Sequence, residues 1–330
     1  MFCPRLRHFV RLNFDGTIGK CGHMMAPPGF RDMKELDESK WLQRIEDQMS
    51  NGEWPDECRR CQIQESLKGE SVRTKSISRH NILKPKRDDY LIVGGVLDNI
   101  CNSACQSCNS NLSTKIGSLE QRDYKRINNT DRFFSLPQHR ILEIDVNGGE
   151  PTASPNYKKL ISQLPGSVKI VRINTNGSRM INELEFLLAR GIMVIVTLSL
   201  DGTGPVHDYV RWPIKWKNYN TTVDEYVKLS KKIPLLKLDF WTTVSALNIN
   251  NFMDIIDYAK SKSIPHDYAP LYRPHQLDIS YKNFLTEDIE LSHPIQQKVG
   301  TGKDNSDDLI EFINRNDRLR GINIKDYLNF

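Results

Sequence analysis

The chain has 330 residues, 38% hydrophobic and 26% charged, the balance of an ordinary globular protein with one large domain and a small second one. Its net charge of +5 suits an anionic ligand but is too small to argue for nucleic acid. No apolar stretch is long enough to span a bilayer and Met1-Phe2-Cys3-Pro4-Arg5 lacks the apolar core of a secretory signal, so a cytoplasmic location is expected. Thiols stay reduced there, and clustered cysteines then indicate metal rather than disulfides.

Val10-Arg11-Leu12-Asn13-Phe14 alternates apolar and polar and runs into Asp15-Gly16, a strand entering a hairpin turn, with Thr17 to Cys21 returning. This hairpin is expected to bring Cys3 and Cys21 together. Trp41, Leu42, Ile45 and Met49 share one face at helical spacing, which predicts a helix from near Asp37 to the stop signal at Asn51-Gly52. Cys58-Arg59-Arg60-Cys61 then places two thiols on a tight turn. Cys3, Cys21, Cys58 and Cys61 are the complement of either a closed tetrahedral zinc or a fully ligated iron–sulfur cluster, and residues 1–61 alone do not separate the two. Gly69 to Arg87 carries Arg73, Lys75, Arg79, Lys84, Lys86 and Arg87 and reads as a solvated connector, with contact to an anionic ligand as the alternative.

Strand patterns near 91–98, 140–147, 168–174, 192–199, 235–245 and 266–272 alternate with helical patterns near 109–118, 156–164, 181–190, 221–232 and 251–262. Phe252, Ile255, Ile256 and Ala259 line one face of the last helix. This alternation predicts an α/β fold of parallel strands with right-handed crossovers, and six units leave the barrel open on one side: a partial (β/α)6 TIM-like barrel. The residues able to do chemistry follow the strands, where barrels place their sites.

After the first of these strands comes Cys101-Asn102-Ser103-Ala104-Cys105-Gln106-Ser107-Cys108. Three thiols are a poor disulfide framework, and tetrahedral zinc would need a fourth ligand from elsewhere. A four-iron cubane on three cysteines keeps one iron open to a small molecule. After the second strand, Asn147-Gly148-Gly149-Glu150-Pro151 lets the backbone approach a ligand closely. Its alternative reading is a turn into a helix capped by Ser154-Pro155. Asn174-Thr175-Asn176-Gly177-Ser178 follows the third strand, with a plain turn at Asn176-Gly177 as the alternative. After the fourth, Ser199-Leu200-Asp201-Gly202 precedes His207 and Arg211. Arg211 offers a bidentate fork for a carboxylate, Asp201 also suits a turn or cap, and His207 reads as structural. Residues 276–330 are expected to form a helical extension over the barrel, with Leu309, Ile310, Phe312 and Ile313 on one helix.

The three-cysteine loop, followed one strand later by Gly148 to Pro151, resembles the signature of the radical S-adenosylmethionine (SAM) enzymes. The resemblance implies that Cys101, Cys105 and Cys108 hold a [4Fe–4S] cluster whose open iron binds SAM, and that reductive cleavage of SAM produces a 5′-deoxyadenosyl radical that takes a substrate hydrogen. It implies that Gly148, Gly149, Glu150 and Pro151 bind the SAM amino group, that Asn176 lies near the ribose or the substrate, and that Ser199 reaches the ribose region. Asp201 and Arg211 match the family's Ser-x-Asp-Gly and His-x-x-x-Arg segments, with Arg211 near the SAM carboxylate. No catalytic residue is assigned. The hairpin, helix and C-x2-C pair of the N-terminus look like the SPASM/twitch modules of this superfamily, which ordinarily follow the barrel. On that resemblance Cys3, Cys21, Cys58 and Cys61 hold an auxiliary iron–sulfur cluster, with zinc as the alternative. The implied partners are a peptide or small-molecule substrate and a flavodoxin- or ferredoxin-type electron donor. The implied domains are a module and linker at 1–87, a barrel at 88–275 and the extension at 276–330. Ser107 stands where the family often has an aromatic against the adenine, which leaves Val244, Ser245, Ala246 and Tyr268 to Leu271 as positional candidates. The rival expectation is a zinc-stabilised nucleic-acid-binding protein without radical chemistry.

Overall fold

The computed structural model describes residues 1–83, 89–121, 123–287 and 289–328. Lys84, Lys86 and Arg87 of the expected connector lie outside the described residues, as does Phe330.

A short helix α1 (Pro4–His8) runs into β1 (Phe9–Leu12), and the chain returns as β2 (Ile18–Gly19), antiparallel with Leu12 opposite Ile18. The turn forms because Asp15 Oδ1 accepts from Thr17 N–H and Oγ1 while Gly16 takes φ +88°. The single helix expected from near Asp37 is present, starting at Lys40, and a short helix precedes it. Asp32 caps α2 (Met33–Asp37), and Ser39 Oγ, accepting from Leu42 N–H, caps α3 (Lys40–Ser50). Leu42, Ile45 and Met49 are buried on α3, as their spacing predicts.

A 3-10 turn, Asp56–Cys58, leads directly into α4 (Arg59–Lys68), so the C-x2-C pair sits at a helix start and not on a tight turn. The described part of the expected connector is also helical, α5 (Val72–Leu83). Its arginines are engaged: Arg73 Nε donates to Glu65 Oε1 at 2.9 Å, and Arg79 pairs with Glu143 at 2.7 Å. The composition misled because a solvated charge run and an ion-paired helix face contain the same residue types.

The alternation that follows is β3 (Leu91–Val96), α6 (Thr114–Glu120), α7 (Thr130–Phe134), β4 (Ile141–Asn147), α8 (Pro155–Ser162), β5 (Ile170–Thr175), α9 (Leu184–Ala189), β6 (Met193–Ser199), α10 (Gly204–Val210), α11 (Trp216–Ser230), β7 (Leu236–Val244), α12 (Phe252–Lys262) and β8 (His266–Pro270). The chain closes with α13 (Ser306–Arg320) after several 3-10 turns. All six expected strands are present. Helix α6 starts later than its pattern predicts, because Ser113 Oγ caps it by accepting from Ile116 N–H.

The fold is α/β, with eight strands in a mostly parallel sheet of order β2-β1-β3-β4-β5-β6-β7-β8. Two strands are thus added to the six of the sequence pattern. Strand β1 lies parallel to β3, with Val10 opposite Val93, and Gly95 makes room for it. Gly95 has φ +94°, and a Cβ there would sit 2.3 Å from Leu12 O.

Two compact units are formed, Met1–Asp98 with Ile127–Gly148 and Pro155–Arg172, and Asn99–Arg126 with Gly149–Ser154 and Ile173–Phe330. In the first, Val10, Leu12, Val93, Ile144 and Val146 are buried on its strands. In the second, Val194, Val196, Leu198 and Phe240 are buried, and Leu309, Phe312 and Ile313 of α13 join Tyr209, Val210 and Leu277 in one apolar cluster. The second unit also collects the loops that follow β3, β4 and β5. No helix among the described residues is long and apolar enough to cross a membrane.

Candidate cofactor and metal sites

Backbone fit decides the glycine pair. Gly148 has φ +145°, and a Cβ there would lie 2.1 Å from Asp98 O. At Gly149 a Cβ would lie 2.0 Å from Ile100 O, and the next N–H, that of Glu150, donates to the same oxygen at 2.7 Å. Both glycines therefore answer to the chain leading into Cys101.

Glu150 is 2% exposed and its carboxylate is already used. Oε1 accepts from Thr152 N–H at 3.1 Å, Thr152 Oγ1 at 2.8 Å and Thr175 Oγ1 at 2.7 Å, and Oε2 accepts from Asn176 N–H at 2.7 Å. A carboxylate has about four lone-pair sites, so this one acts chiefly as a knot between two loops. Pro151 is buried and opens the 3-10 turn Pro151–Ala153, capped by Glu150. Asn176 is tied to the cysteine loop, its Nδ2 donating to Asn102 Oδ1 at 2.8 Å and to Ser103 Oγ at 2.9 Å.

The cysteine loop is gripped from two further directions. Ala104 N–H donates to Trp212 O at 2.8 Å and Gln106 N–H to Val210 O at 2.9 Å. Arg320 of α13 donates from Nε to Ala104 O at 2.7 Å and from Nη2 to Cys105 O at 3.1 Å. Sequence reasoning missed Arg320, since an arginine in the last turn of a helix reads as a solvated charge answering the helix dipole. A signal was present: Leu309, Ile313, Asn316, Asp317 and Arg320 continue one helical stripe, and all five are buried.

Burial pushes the Cys101 and Cys108 thiols up to about 12, with the neighbouring thiols of the set adding to it. Cys105 is raised by burial as well, while Arg211 pulls all three down. The three side chains thus share one electrostatic neighbourhood with one cation. Arg211 Nη1 donates to Asp201 Oδ2 at 2.8 Å, with side chains 11% and 4% exposed. Asp201 Oδ1 accepts from Thr243 N–H at 2.8 Å. Burial opposes the charge on Arg211, but Cys105 and Asp201 outweigh it and hold the guanidinium protonated. Its Nε is buried without a protein partner, so donor capacity remains.

Ser199 ends β6, half-buried and opposite Trp241. His207 is fully buried beside Trp216 and Tyr219, and burial pushes its pKa down to about 3, so it is a neutral structural imidazole. Val244, Ser245 and Ala246 are buried, with Ser245 N–H on Asn248 Oδ1 in a local turn and Ala246 N–H on Leu277 O, 31 positions away. Tyr268 packs edge-on against Phe252 and His293. Ser107 is half-buried.

In the first unit, Cys3, Cys21, Cys58 and Cys61 line one pocket together with Arg5 and Arg73. Burial raises the Cys3 thiol to about 11 and that of Cys58 to about 12, with other cysteines of the set adding to each. Arg5 Nη1 stands 3.9 Å from Cys21 Sγ, and Arg73 Nη1 donates to Phe2 O at 2.9 Å, just before Cys3. Among the described residues no three His, Cys, Asp or Glu side chains are arranged to hold a single metal ion. Each cysteine set is brought within one shared electrostatic field.

No family model matches the chain. It is 33% identical over 113 residues to mycofactocin maturase MftC of Mycobacterium tuberculosis (strain ATCC 25618 / H37Rv), a match covering 34% of this chain and 28% of that protein. The same maturase of Mycolicibacterium smegmatis (strain ATCC 700084 / mc(2)155) is 31% identical over 112 residues, covering 34% and 28%. The segment this chain shares with either relative spans less than a third of the relative's length. Among solved structures it is similar to Streptococcus suis SuiB bound to S-adenosylmethionine, with TM-score 0.44 and 13% identity over 73% of this chain and 53% of that one. It is also similar to anSMEcpe with bound AdoMet, with TM-score 0.40 and 16% identity over 70% and 62%.

Proposed function

We propose that this chain is a radical SAM enzyme that cleaves SAM reductively and takes a hydrogen from a peptide or small-molecule substrate. Cys101, Cys105 and Cys108 ligate the SAM cluster, and Cys3, Cys21, Cys58 and Cys61 ligate an auxiliary iron–sulfur cluster. One observation carries the reading: three half-buried cysteines lie on a loop held on several sides, with the Arg211 guanidinium beside them. Burying three thiolates without compensation would be prohibitive, and the cation together with the iron ions of a cluster offsets it. When bound, the [4Fe–4S] cluster supplies the electron that converts SAM to methionine and the 5′-deoxyadenosyl radical.

The protein's own part is to bind, orient and exclude water. Asp201 holds Arg211, whose remaining donor and charge suit the SAM carboxylate. Gly148, Gly149 and Pro151 shape the loop, and Glu150 locks it, leaving the SAM amino group chiefly to backbone carbonyls. Asn176 and Ser199 stand toward the ribose. By role the chain divides into an auxiliary module at 1–87, a barrel at 88–275 and an extension at 276–330. A flavodoxin- or ferredoxin-type donor supplies electrons in the cytoplasm. The matched relatives are named maturases, which favours a precursor to be modified as the substrate.

Anaerobic purification and reconstitution test the reading. The expected result is a brown protein containing iron and sulfide that forms 5′-deoxyadenosine from SAM and dithionite, with this activity lost in Cys101→Ala, Cys105→Ala and Cys108→Ala. Undiminished SAM cleavage in any of the three overturns it. A colourless protein with stoichiometric zinc would support the zinc-stabilised nucleic-acid-binding alternative, and zinc confined to the N-terminal set would replace only the auxiliary cluster.

A further inference from the structure

We infer that Arg320, in the last turn of α13, is a positioning residue for the SAM-cluster loop and that its charge helps set the reduction potential of that cluster. The inference rests on the assignment of Cys101, Cys105 and Cys108 as ligands.

An arginine is rarely buried unless its donors and its charge are both used. Arg320 is 6% exposed. Nε and Nη2 go to the carbonyls of Ala104 and Cys105, and Nη1 goes to Asn316 O and Oδ1, both at 3.0 Å. None of these acceptors is a carboxylate. The neighbouring carboxylate, Asp317, is engaged elsewhere, Oδ1 accepting from Tyr209 Oη–H at 2.8 Å and Oδ2 from Ile324 N–H at 2.7 Å. Burial works against the charge on Arg320, and the groups that favour it are Cys105, then Tyr209, Asp317 and Cys108. No carboxylate bonds this guanidinium; its donors go to the backbone carbonyls of the Cys105 loop and to Asn316.

The geometry explains why an arginine is needed. The backbone N–H groups of Ala104 and Gln106 are held by Trp212 and Val210 O, which flank Arg211. Arg320 holds the carbonyls of Ala104 and Cys105. The stretch carrying Cys105 is thus clamped through both its donors and its acceptors, by α13 and by the end of α10 with Trp212 just beyond it. A lysine keeps the charge but lacks the planar fork that reaches two successive carbonyls. Fixed positive charge beside an iron–sulfur cluster favours the reduced form and raises its potential.

Arg320→Met and Arg320→Lys, each in the otherwise intact chain, separate the two effects. Reduction is followed by electron paramagnetic resonance, reading the signal that changes on adding SAM, so the auxiliary centre is not counted. Iron loss to a chelator is timed, and thermal melting checks folding. Arg320→Met is expected to lower the potential of the SAM-responsive signal and to release its iron about tenfold faster, the equivalent of one charge-assisted hydrogen bond. Arg320→Lys should keep the parental potential while still releasing iron several-fold faster. Should Arg320→Met not fold, iron release from Arg320→Lys decides. Parental potential and parental iron release in folded Arg320→Met, or parental release in Arg320→Lys, overturns the inference. Cys105→Ala serves as the reference: if it keeps the SAM-responsive signal, the ligand assignment itself has failed.

Discussion

Asp201→Asn probes the buried pair that aims Arg211 at the cysteine loop. Nitrogen and oxygen stand 2.8 Å apart with both side chains nearly sealed from water. At an effective dielectric of about 20 their attraction is about 6 kcal/mol at this separation. Desolvation of the two groups cancels much of that, so the intact pair adds little net stability. Removing one partner is different, because the other stays buried and uncompensated, at a cost of about 3–5 kcal/mol. Asparagine preserves the shape and can still accept from Thr243 N–H, so the loss is electrostatic and not steric. We expect equilibrium denaturation at pH 7 to show a destabilisation of about 3 kcal/mol for Asp201→Asn. The double variant Asp201→Asn/Arg211→Met should recover at least half of it, since no charge is left stranded. A single variant within about 1 kcal/mol of the parent, or a double variant no better than the single, refutes the reasoning.

Three further predictions follow from the same geometry. Gly149→Ala forces Ile100 O away, breaks the bond from Glu150 N–H and should lower both the melting temperature and the retained iron; Gly166→Ala, with nothing within 4 Å of its Cβ, should melt like the parent. Burial holds His207 near pKa 3 and His8 near pKa 4, so the unfolded chain binds more protons once the pH drops below 6.5. Stability should then fall with falling pH by up to about 1.4 kcal/mol per unit for each residue, and His207→Phe should flatten that slope; a slope equal to the parent's removes His207 as its source. Arg73→Met releases the Phe2 carbonyl and the Glu65 pair, so metal analysis should show loss from the N-terminal cysteine set while the SAM-responsive signal survives. Full metal occupancy in that variant would show that Arg73 does not hold the segment carrying Cys3.

Much of the scaffold was legible because its signals are local. The apolar runs at Leu91–Val96, Ile141–Asn147 and Met193–Ser199 are short strands bounded by polar loops, and Leu42, Ile45 and Met49 announce their helix within three turns. What failed was charge. Arg73 and Arg79 looked solvated, yet their partners Glu65 and Glu143 lie on other elements. Glu150 accepts from Thr175 and Asn176, 25 and 26 positions away, partners that its own loop does not announce. The pairing of β1 with β3 joins residues about eighty positions apart, a register that a four-residue alternation cannot encode.

The sequence by itself determined which thiols occur at cluster spacing, which glycines precede Glu150 and where the strands alternate with helices, because each of these is set within a few neighbouring residues. Only the tertiary structure decided which charges are buried and what they hold. Arg320 reaches the Cys105 loop across 215 positions, and its role exists only once α13 packs its polar stripe inward. A buried guanidinium must satisfy its donors with whatever the fold brings near, and that partner is a property of packing.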